Sequence, residues 1–479
     1  MFSDLLVLDA TDAARLIRQK KLSPVEYVRE IVEAIERSQP VINAFTVVTA
    51  SQAIEQAKLA EGAAMAGAGL GPLHGVPFSI KDLVDTAGVE TFYGSAVHKG
   101  HVPTRDATTV RRLKEAGGVF VGKTTTPEYG HKGLTDGPSF GITRNPWNLE
   151  YSPGGSSGGA GAHVAAGLGP LALGTDGAGS IRLPASASGI VGLKPTRGAV
   201  AHGYAPDVVS SISYSGPMTR SVADAALMLD VLAGPEPDDP WSLGGSLKAV
   251  SAGLTGNRIA GLKVGYIRLM ANPDVDREVE AATEAALKTL GELGAEVEPV
   301  TDKIDWIEED GRILMRTGMW TKSRNDLERW GNQLDPSYRD FMEDGRKVTM
   351  ERLREAESAR TRLYQAVQRL FGRYDVLASP SLVVPALKVN HHASRDQVLV
   401  NGKPQGFTRT GFSSYLYPFN LTGHPAISVP NGWNKEGLPI GLQLIGRWWH
   451  DRDLLRLAAM LEIARPWSQR RPPHWGGVR

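Results

Sequence analysis

The chain of 479 residues contains no cysteine. That excludes disulfides, thiolate metal sites and a cysteine nucleophile, and a cytoplasmic location is the expectation. No run of about 18 apolar residues occurs, so no membrane span is expected. Charge of one sign is also missing. The 53 Lys and Arg balance 52 Asp and Glu, for a formal net charge of +1, and this balance gives no reason to expect nucleic acid as a partner. The opening "MFSDLLVLDATDAARLIRQKK" has no basic leader ahead of an apolar core, so no secretory signal is read there. With 41% hydrophobic and 22% charged residues, the composition is that of an ordinary globular chain, long enough to bury a core without staples.

The pattern along the chain falls into stretches. Residues 1–65 are helical in period, with apolar positions three and four apart. Ser23 is the expected N-cap of one of these helices, with Pro24 in its first turn. From residue 72 short apolar strands ("GVPFSIKD", "VFVGKT", "LGPLALGTD", "GIVGLKPT", "LKVGYI") alternate with helices ("DATTVRRLKEAGG", "SVADAALMLDVLAG"). This predicts an α/β sheet covered by helices on both faces. Residues 302–375 read as helical and charged. The tail returns to strands, with a hairpin turn near residues 434–437, and ends in an amphipathic helix. No repeat or interdomain linker is evident. A single domain, 1–479, is expected, with an α/β core over 72–270 and 376–465 and a substrate-side helical region over 302–375.

Three glycine motifs compete for chemistry. "GGVFVGKT" (117–124) matches a phosphate-binding loop, but a helix precedes it and a strand fills its middle. Gly117 then closes a helix and Lys123 ends a strand. "SPGGSSGGAGAH" (152–163) fits the nucleophile pattern G-x-S-x-G twice, yet no buried strand leads into it, as a nucleophile elbow requires. "LALGTDGAGSIRLPAS" (171–186) runs from an apolar strand through Gly177-Ala178-Gly179 to Ser180 and a helix start. Small residues let backbone N–H groups converge there beside a serine, which is how an oxyanion hole is built. A plain strand-to-helix turn is the other reading of that stretch. A serine nucleophile needs a base. Lys81, at the end of an apolar strand, becomes one if burial keeps it neutral; a salt bridge to Asp82 is the competing role.

"GVPFSIKD", "PGGSSGGAGAHVAAG" and "GTDGAGSIRLPASASGIVGLKPT", in that order, resemble the amidase signature family of serine hydrolases. The likeness continues through "SGPMTRSVADAALMLD" and "TGHPAISVPNGWNKEGLPIGLQLIG". It implies a mixed, mostly parallel twisted central sheet and a Ser–Ser–Lys triad. Carried over by motif position, Lys81 is the base, Ser156 the relay held after a cis peptide bond, and Ser180 the acylated nucleophile. The N–H groups of Gly177, Ala178, Gly179 and Ser180 form the implied oxyanion hole, with Ser157 and Asp176 in support. The family usually has Gly-Gly before the nucleophile, where this chain has Ala178-Gly179. Alanine fits only if its φ is not positive.

The implied substrate is a small-molecule amide with an apolar or aryl acyl group, with esters or carbamates also open. The glutaminase component of glutamyl-tRNA amidotransferase, its A subunit, is the alternative member type. Tyr129, Trp320, Phe412 and Tyr415 are the aromatic candidates for substrate contact. His98 and His101 have H-x-x-H spacing without an acidic or thiol ligand motif, so neither metal nor cofactor is expected. A homodimer is left open.

Overall fold

The strands expected from residue 72 onward form, and others join them. In the computed structural model, which describes residues 4–202, 211–242, 245, 247, 249–254 and 259–475, thirteen strands are found. They are β1 (Phe45–Val48), β2 (Pro77–Lys81), β3 (Val119–Thr124), β4 (Leu171–Asp176), β5 (Val191–Lys194), β6 (Tyr214–Thr219), β7 (Lys263–Tyr266), β8 (Glu296–Pro299), β9 (Val376–Pro380), β10 (Leu399–Val400), β11 (Lys403–Pro404), β12 (Ala426–Trp433) and β13 (Pro439–Gly446). Eleven of them make one sheet in the order β1-β3-β2-β4-β6-β5-β12-β13-β9-β7-β8, while β10 and β11 pair separately. The sheet is mixed. Parallel pairing is confined to two blocks, β3-β2-β4 and β9-β7-β8, and the strands between and outside them run antiparallel.

Residues of β2, β3, β4, β5, β6, β9 and β13 are buried at every position. Successive side chains point to opposite faces, so both faces of the central sheet are covered. The edges are not: β8 is largely exposed and β1 only partly buried. The core divides into two large clusters. One gathers the N-terminal helices with the helices Val222–Leu232 and Asp451–Ala464. The other gathers the helix Met350–Phe371 with residues 412–421.

Local signals explain several boundaries. Ser23 accepts from the Glu26 N–H at 3.2 Å, with Pro24 opening the helix Pro24–Ile42. The first 65 residues also carry β1 between two helices, a strand too short to disturb a helical period. The charged stretch 302–375 becomes three helices, Glu308–Trp330, Pro336–Arg346 and Met350–Phe371. The β12–β13 hairpin turns at Asn434–Gly437, where the Gly437 N–H donates to the Asn434 carbonyl at 2.9 Å.

Lys123 lies within β3, fully buried, 3.9 Å from Asp82 Oδ1. Its ammonium also donates to the Val84 carbonyl and to Thr91 Oγ1. The lysine of "GKT" therefore sits in an interior ion pair and not in a phosphate cradle. Burial pushes the Asp82 pKa up and that of Lys123 down, each opposed by the partner's charge. Removing one member of such a pair strands the other. Lys123→Met is expected to lower unfolding free energy by about 3–5 kcal/mol near pH 8, read from urea titration. The loss shrinks toward pH 5, where the orphaned carboxyl takes up a proton. Adding Asp82→Asn to Lys123→Met should recover part of it.

Candidate active site

Lys81 is the last residue of β2, which lies between β3 and β4. Because β2 and β4 run parallel, their C-terminal ends come together and bring Lys81 beside Thr175. Lys81 Nζ is hydrogen-bonded to Ser156 Oγ at 2.7 Å and to Thr175 Oγ1 at 3.0 Å. Its side chain is fully buried. The adjacent Asp82 pairs with Lys123 instead, so the competing Lys81–Asp82 salt bridge does not form. Burial lowers the Lys81 pKa to about 7, with the Asp176 charge acting in the opposite direction.

Ser156 and Ser157 lie at the start of the helix Gly158–Ala165. The Gly155–Ser156 peptide bond is cis. Position 155 has no room for a side chain, since a Cβ there would lie 2.8 Å from the Leu134 nitrogen. Ser157 is tied at both ends of its residue. Its N–H donates to the Ser180 carbonyl at 3.2 Å, and its hydroxyl donates to the Thr175 carbonyl at 3.1 Å. Ser157 thus bridges the β4 end and the Ser180 loop. No hydrogen bond joins the Ser156 and Ser180 hydroxyls, and Ser180 is half-buried.

The loop from Asp176 to Arg182 is organised by a buried carboxylate. Asp176 Oδ1 accepts from the Gly179 N–H at 2.5 Å, Arg182 Nη2 at 3.1 Å and Asn420 Nδ2 at 2.9 Å. Its Oδ2 accepts from the Ile181 N–H at 3.2 Å and Arg182 Nε at 3.0 Å. Arg182, also fully buried, continues to the Leu416 carbonyl, Gln443 Oε1 and Asn420 Oδ1. Burial alone would raise the Asp176 pKa, but the Arg182 charge and these hydrogen bonds outweigh it and bring the pKa to about 2.

One member of the expected oxyanion set is corrected by this network. The Gly179 N–H is turned inward to Asp176 and is not available to substrate. Among the described residues, the N–H groups of Gly177, Ala178 and Ser180 have no hydrogen-bond acceptor, and all three residues are half-buried. Ala178 does not have positive φ, so alanine is unstrained there; Gly179 does, at φ 117°.

The aromatic candidates separate. Phe412 and Tyr415 are fully buried in the second core cluster, with the Tyr415 hydroxyl donating to the Arg268 carbonyl at 2.6 Å. Their apolar area is spent on the core, which corrects the expectation of substrate contact. Tyr129 and Trp320 are partly buried around Leu334, Tyr338 and Met342. Tyr129 stacks on Tyr338 at 4.8 Å between ring centroids, and its hydroxyl donates to Asp326 Oδ2 at 2.9 Å. The next residue, Gly130, adjoins Ser156: a Cβ there would lie 3.0 Å from Ser156 Oγ. His98 Nε2 is 2.6 Å from the Tyr129 hydroxyl, and His101 Nε2 is 3.0 Å from that of Tyr93. Thr175, Arg182, Asn420 and Gln443 were not singled out as site residues by sequence reasoning. Thr175 and Arg182 sit inside the quoted motif, whereas Asn420 and Gln443 approach from more than 200 residues away.

The amidase family model matches residues 26–455. The chain belongs to the amidase signature family. It is 37% identical to an acylamidase of Rhodococcus erythropolis, over 97% of each chain. It is 35% identical to the A subunit of the glutamyl-tRNA(Gln) amidotransferase of Symbiobacterium thermophilum, over 94% of this chain and 96% of that one. Among solved structures, a bacterial aryl acylamidase superposes with a TM-score of 0.90 at 29% identity over the whole of both chains. The 6-aminohexanoate cyclic dimer hydrolase, with substrate bound, superposes with a TM-score of 0.87 at 30% identity over 98% of this chain and 99% of that one. This amidase is accordingly a hydrolase of amide carbon–nitrogen bonds. Among the described residues no helix is long and apolar enough to cross a membrane.

The two glycines of the Ser180 loop have different tolerances. A Cβ at Gly179 would lie 2.5 Å from Leu416 Cδ1 in a backbone conformation that side chains rarely adopt, whereas nothing lies within 4 Å of one at Gly177. Gly179→Ala is expected to lower the melting temperature and to cut kcat by tenfold or more, while Gly177→Ala melts within about 2 °C of the parent. Equal melting of the two variants contradicts this account of the loop.

Proposed function

We propose that this amidase cleaves its substrate through an acyl-enzyme on Ser180, with Lys81 as base and Ser156 as proton relay. The observation that carries the reading is the 2.7 Å contact between Ser156 Oγ and a fully buried Lys81 that, among the described residues, has no carboxylate partner. With Lys81 neutral, an N–H donates to Thr175 Oγ1 and the nitrogen lone pair faces the Ser156 hydroxyl. Ser156 gives its proton to Lys81 and takes that of Ser180 as the Ser180 oxygen attacks the carbonyl carbon. The N–H groups of Gly177, Ala178 and Ser180 receive the developing oxyanion, each worth about 2.7–4 kcal/mol in such a role. The C–N bond then breaks, and the proton returns through Ser156 to the departing amine. Water adds to the acyl-enzyme by the same relay and releases the acid.

The substrate reading is a small amide with an apolar or aryl acyl group. The names of the Rhodococcus acylamidase and the bacterial aryl acylamidase support it. So does the partly buried aromatic group of Tyr129 and Trp320, which adjoins the relay through Gly130. A second reading, the glutaminase of a transamidation assembly, rests on relatives named as the A subunit of glutamyl-tRNA(Gln) amidotransferase, at 33–36% identity. Turnover of anilides but not glutamine by the isolated chain would decide for the first reading, and the reverse for the second.

A fluorophosphonate should add its mass to the peptide holding Ser180, and Ser180→Ala should block both labelling and turnover. Labelling of Ser156 with an active Ser180→Ala variant would sink the assignment.

The neutral fraction of Lys81 grows as pH rises through about 7. The pH profile of kcat/KM should therefore climb through that value and level off on the alkaline side. Lys81→Met should lose about 10²–10⁴-fold in kcat. A flat profile, or an active Lys81→Met variant, removes the lysine from the base role.

A further inference from the structure

Residues 128–135 run between the Ser156 turn and the helices Glu308–Trp330 and Pro336–Arg346. One side of this segment packs on the turn. A Cβ at Gly130 would lie 3.0 Å from Ser156 Oγ and 3.6 Å from Ser156 Cβ. A Cβ at Gly155 would lie 2.8 Å from the Leu134 nitrogen and 3.0 Å from the Gly133 carbonyl carbon. Thr135 Oγ1 donates to the Gly154 carbonyl at 2.9 Å and accepts from the Gly158 N–H at 3.2 Å. The segment thus walls one side of the Ser156 hydroxyl and fills the space beside the Gly155–Ser156 bond.

The other side reaches the two helices. Glu128 Oε2 accepts from the Asp335 N–H at 2.6 Å, and the Tyr129 hydroxyl donates to Asp326 Oδ2 at 2.9 Å. His131 Nε2 lies 2.8 Å from Ser337 Oγ. Lys132 Nζ donates to Asp335 Oδ2 at 2.9 Å and is paired with Asp136 Oδ1 at 2.5 Å. Asp335 joins several of these ties. Its N–H meets Glu128, its Oδ2 meets Lys132, and its Oδ1 accepts from the Ser337 N–H at 2.8 Å and caps the helix. The Lys132–Asp335 pair is nearly closed to solvent, with side chains 11% and 6% exposed. Water and salt screen such a pair less than one on an open surface.

The geometry points to Asp335 as a positioning residue for the proton relay. Through Lys132 it holds residues 130–134 against the Gly155–Ser156 turn and keeps the Ser156 hydroxyl within reach of Lys81. The inference rests on the relay proposed for Ser156 and names what supports it from outside the signature motifs. A shift of about 1 Å in a reacting group can cost about 10²-fold in rate. The step that needs Ser156 most is the return of its proton to the departing amine. An activated ester does not need that step, because nitrophenolate leaves without a proton.

Asp335→Asn removes the charge that faces Lys132 but keeps an oxygen for the helix cap, and Asp136 still pairs with Lys132. Butyryl anilide is compared with para-nitrophenyl butyrate, which carries the same acyl group. Asp335→Asn should lower kcat/KM for the anilide about tenfold more than for the ester, with Asp335→Glu recovering part of the ratio. Lys132→Met should lower the ratio similarly, and the double variant no further than either alone. Partial unfolding would reduce both substrates alike, so an unmoved ratio overturns the assignment. A crystal structure of Asp335→Asn gives a readout without turnover: a longer separation of Ser156 Oγ from Lys81 Nζ supports the role, and one unchanged at 2.7 Å refutes it. Ser156→Ala tests the relay separately. Full anilide turnover in that variant removes the relay itself, whereas turnover that depends on Ser156 but ignores Asp335→Asn removes only Asp335.

Discussion

Lys81 is fully buried and, among the described residues, pairs with no carboxylate, and the site is arranged around that imbalance. A buried ammonium ordinarily recovers its lost hydration from an ion pair. Here the hydrogen-bond partners are two hydroxyls, those of Ser156 and Thr175. Hydroxyls stabilise an ammonium less than a carboxylate does, so burial wins and the pKa falls toward 7. Asp176 is near enough to oppose this but is prevented from dominating. Its two oxygens accept five hydrogen bonds, two of them from the Arg182 guanidinium. Arg182 therefore has two effects: it holds the loop carboxylate ionised, and it spends the negative charge that would otherwise keep Lys81 protonated.

The same network sets the geometry of the Ser180 loop. Asp176 pulls the Gly179 and Ile181 N–H groups inward, which leaves those of Gly177, Ala178 and Ser180 without an acceptor in the loop itself. Donors fixed in this way need no reorganisation when charge develops against them. Arg182 then anchors the loop to distant parts of the fold, through Asn420, the Leu416 carbonyl and Gln443 of β13. Gln443 in turn donates to Ser379 Oγ of β9 and to the Tyr415 carbonyl. A fully satisfied buried polar network of this kind rigidifies its surroundings, whereas a partly satisfied one is costly.

The parts of the molecule legible in the sequence were those governed by local pattern. Helices with caps and strands flanked by turn residues fell near their expected places. β6 did not, because Gly216 and Pro217 lie inside it and read as turn chemistry. β1 and β8 were missed as short edge strands, whose partial exposure removes the apolar run that marks a buried strand. The site divides in the same way. Ser156, Ser157, Ser180 and Lys81 sit in recognisable motifs, and the structure brings Lys81, Ser156 and Ser157 into one hydrogen-bonded group with the Ser180 backbone. The direction of the Gly179 N–H depends on a carboxylate three residues away, which the glycine pattern does not encode. Phe412 and Tyr415 were aromatic in a region expected to face substrate, but burial is decided by packing across the sheet and not by residue type.

Three lysines show that burial alone does not set a lysine's surroundings. Lys81, Lys123 and Lys194 are each fully buried, and each has its pKa lowered by burial. Lys123 keeps a carboxylate, that of Asp82, so its charge has a standing partner. Lys194 donates to the Pro195 carbonyl at 2.9 Å and lies 3.8 Å from the centre of the Tyr214 ring. A carbonyl oxygen and a ring face accept from an ammonium but have no proton to give it. Lys81 faces Ser156, a group that both accepts and donates. Desolvation makes all three lysines weaker holders of a proton; Lys123 also meets hydroxyls, those of Thr86 and Thr91, but beside a carboxylate, whereas Lys81 has hydroxyl partners and, among the described residues, no carboxylate at ion-pair distance. The proton exchange proposed for the end of β2 therefore rests on desolvation paired with a hydroxyl neighbour in the absence of a carboxylate, and the parallel alignment of β2 with β4 brings Lys81 and Thr175 to the same place.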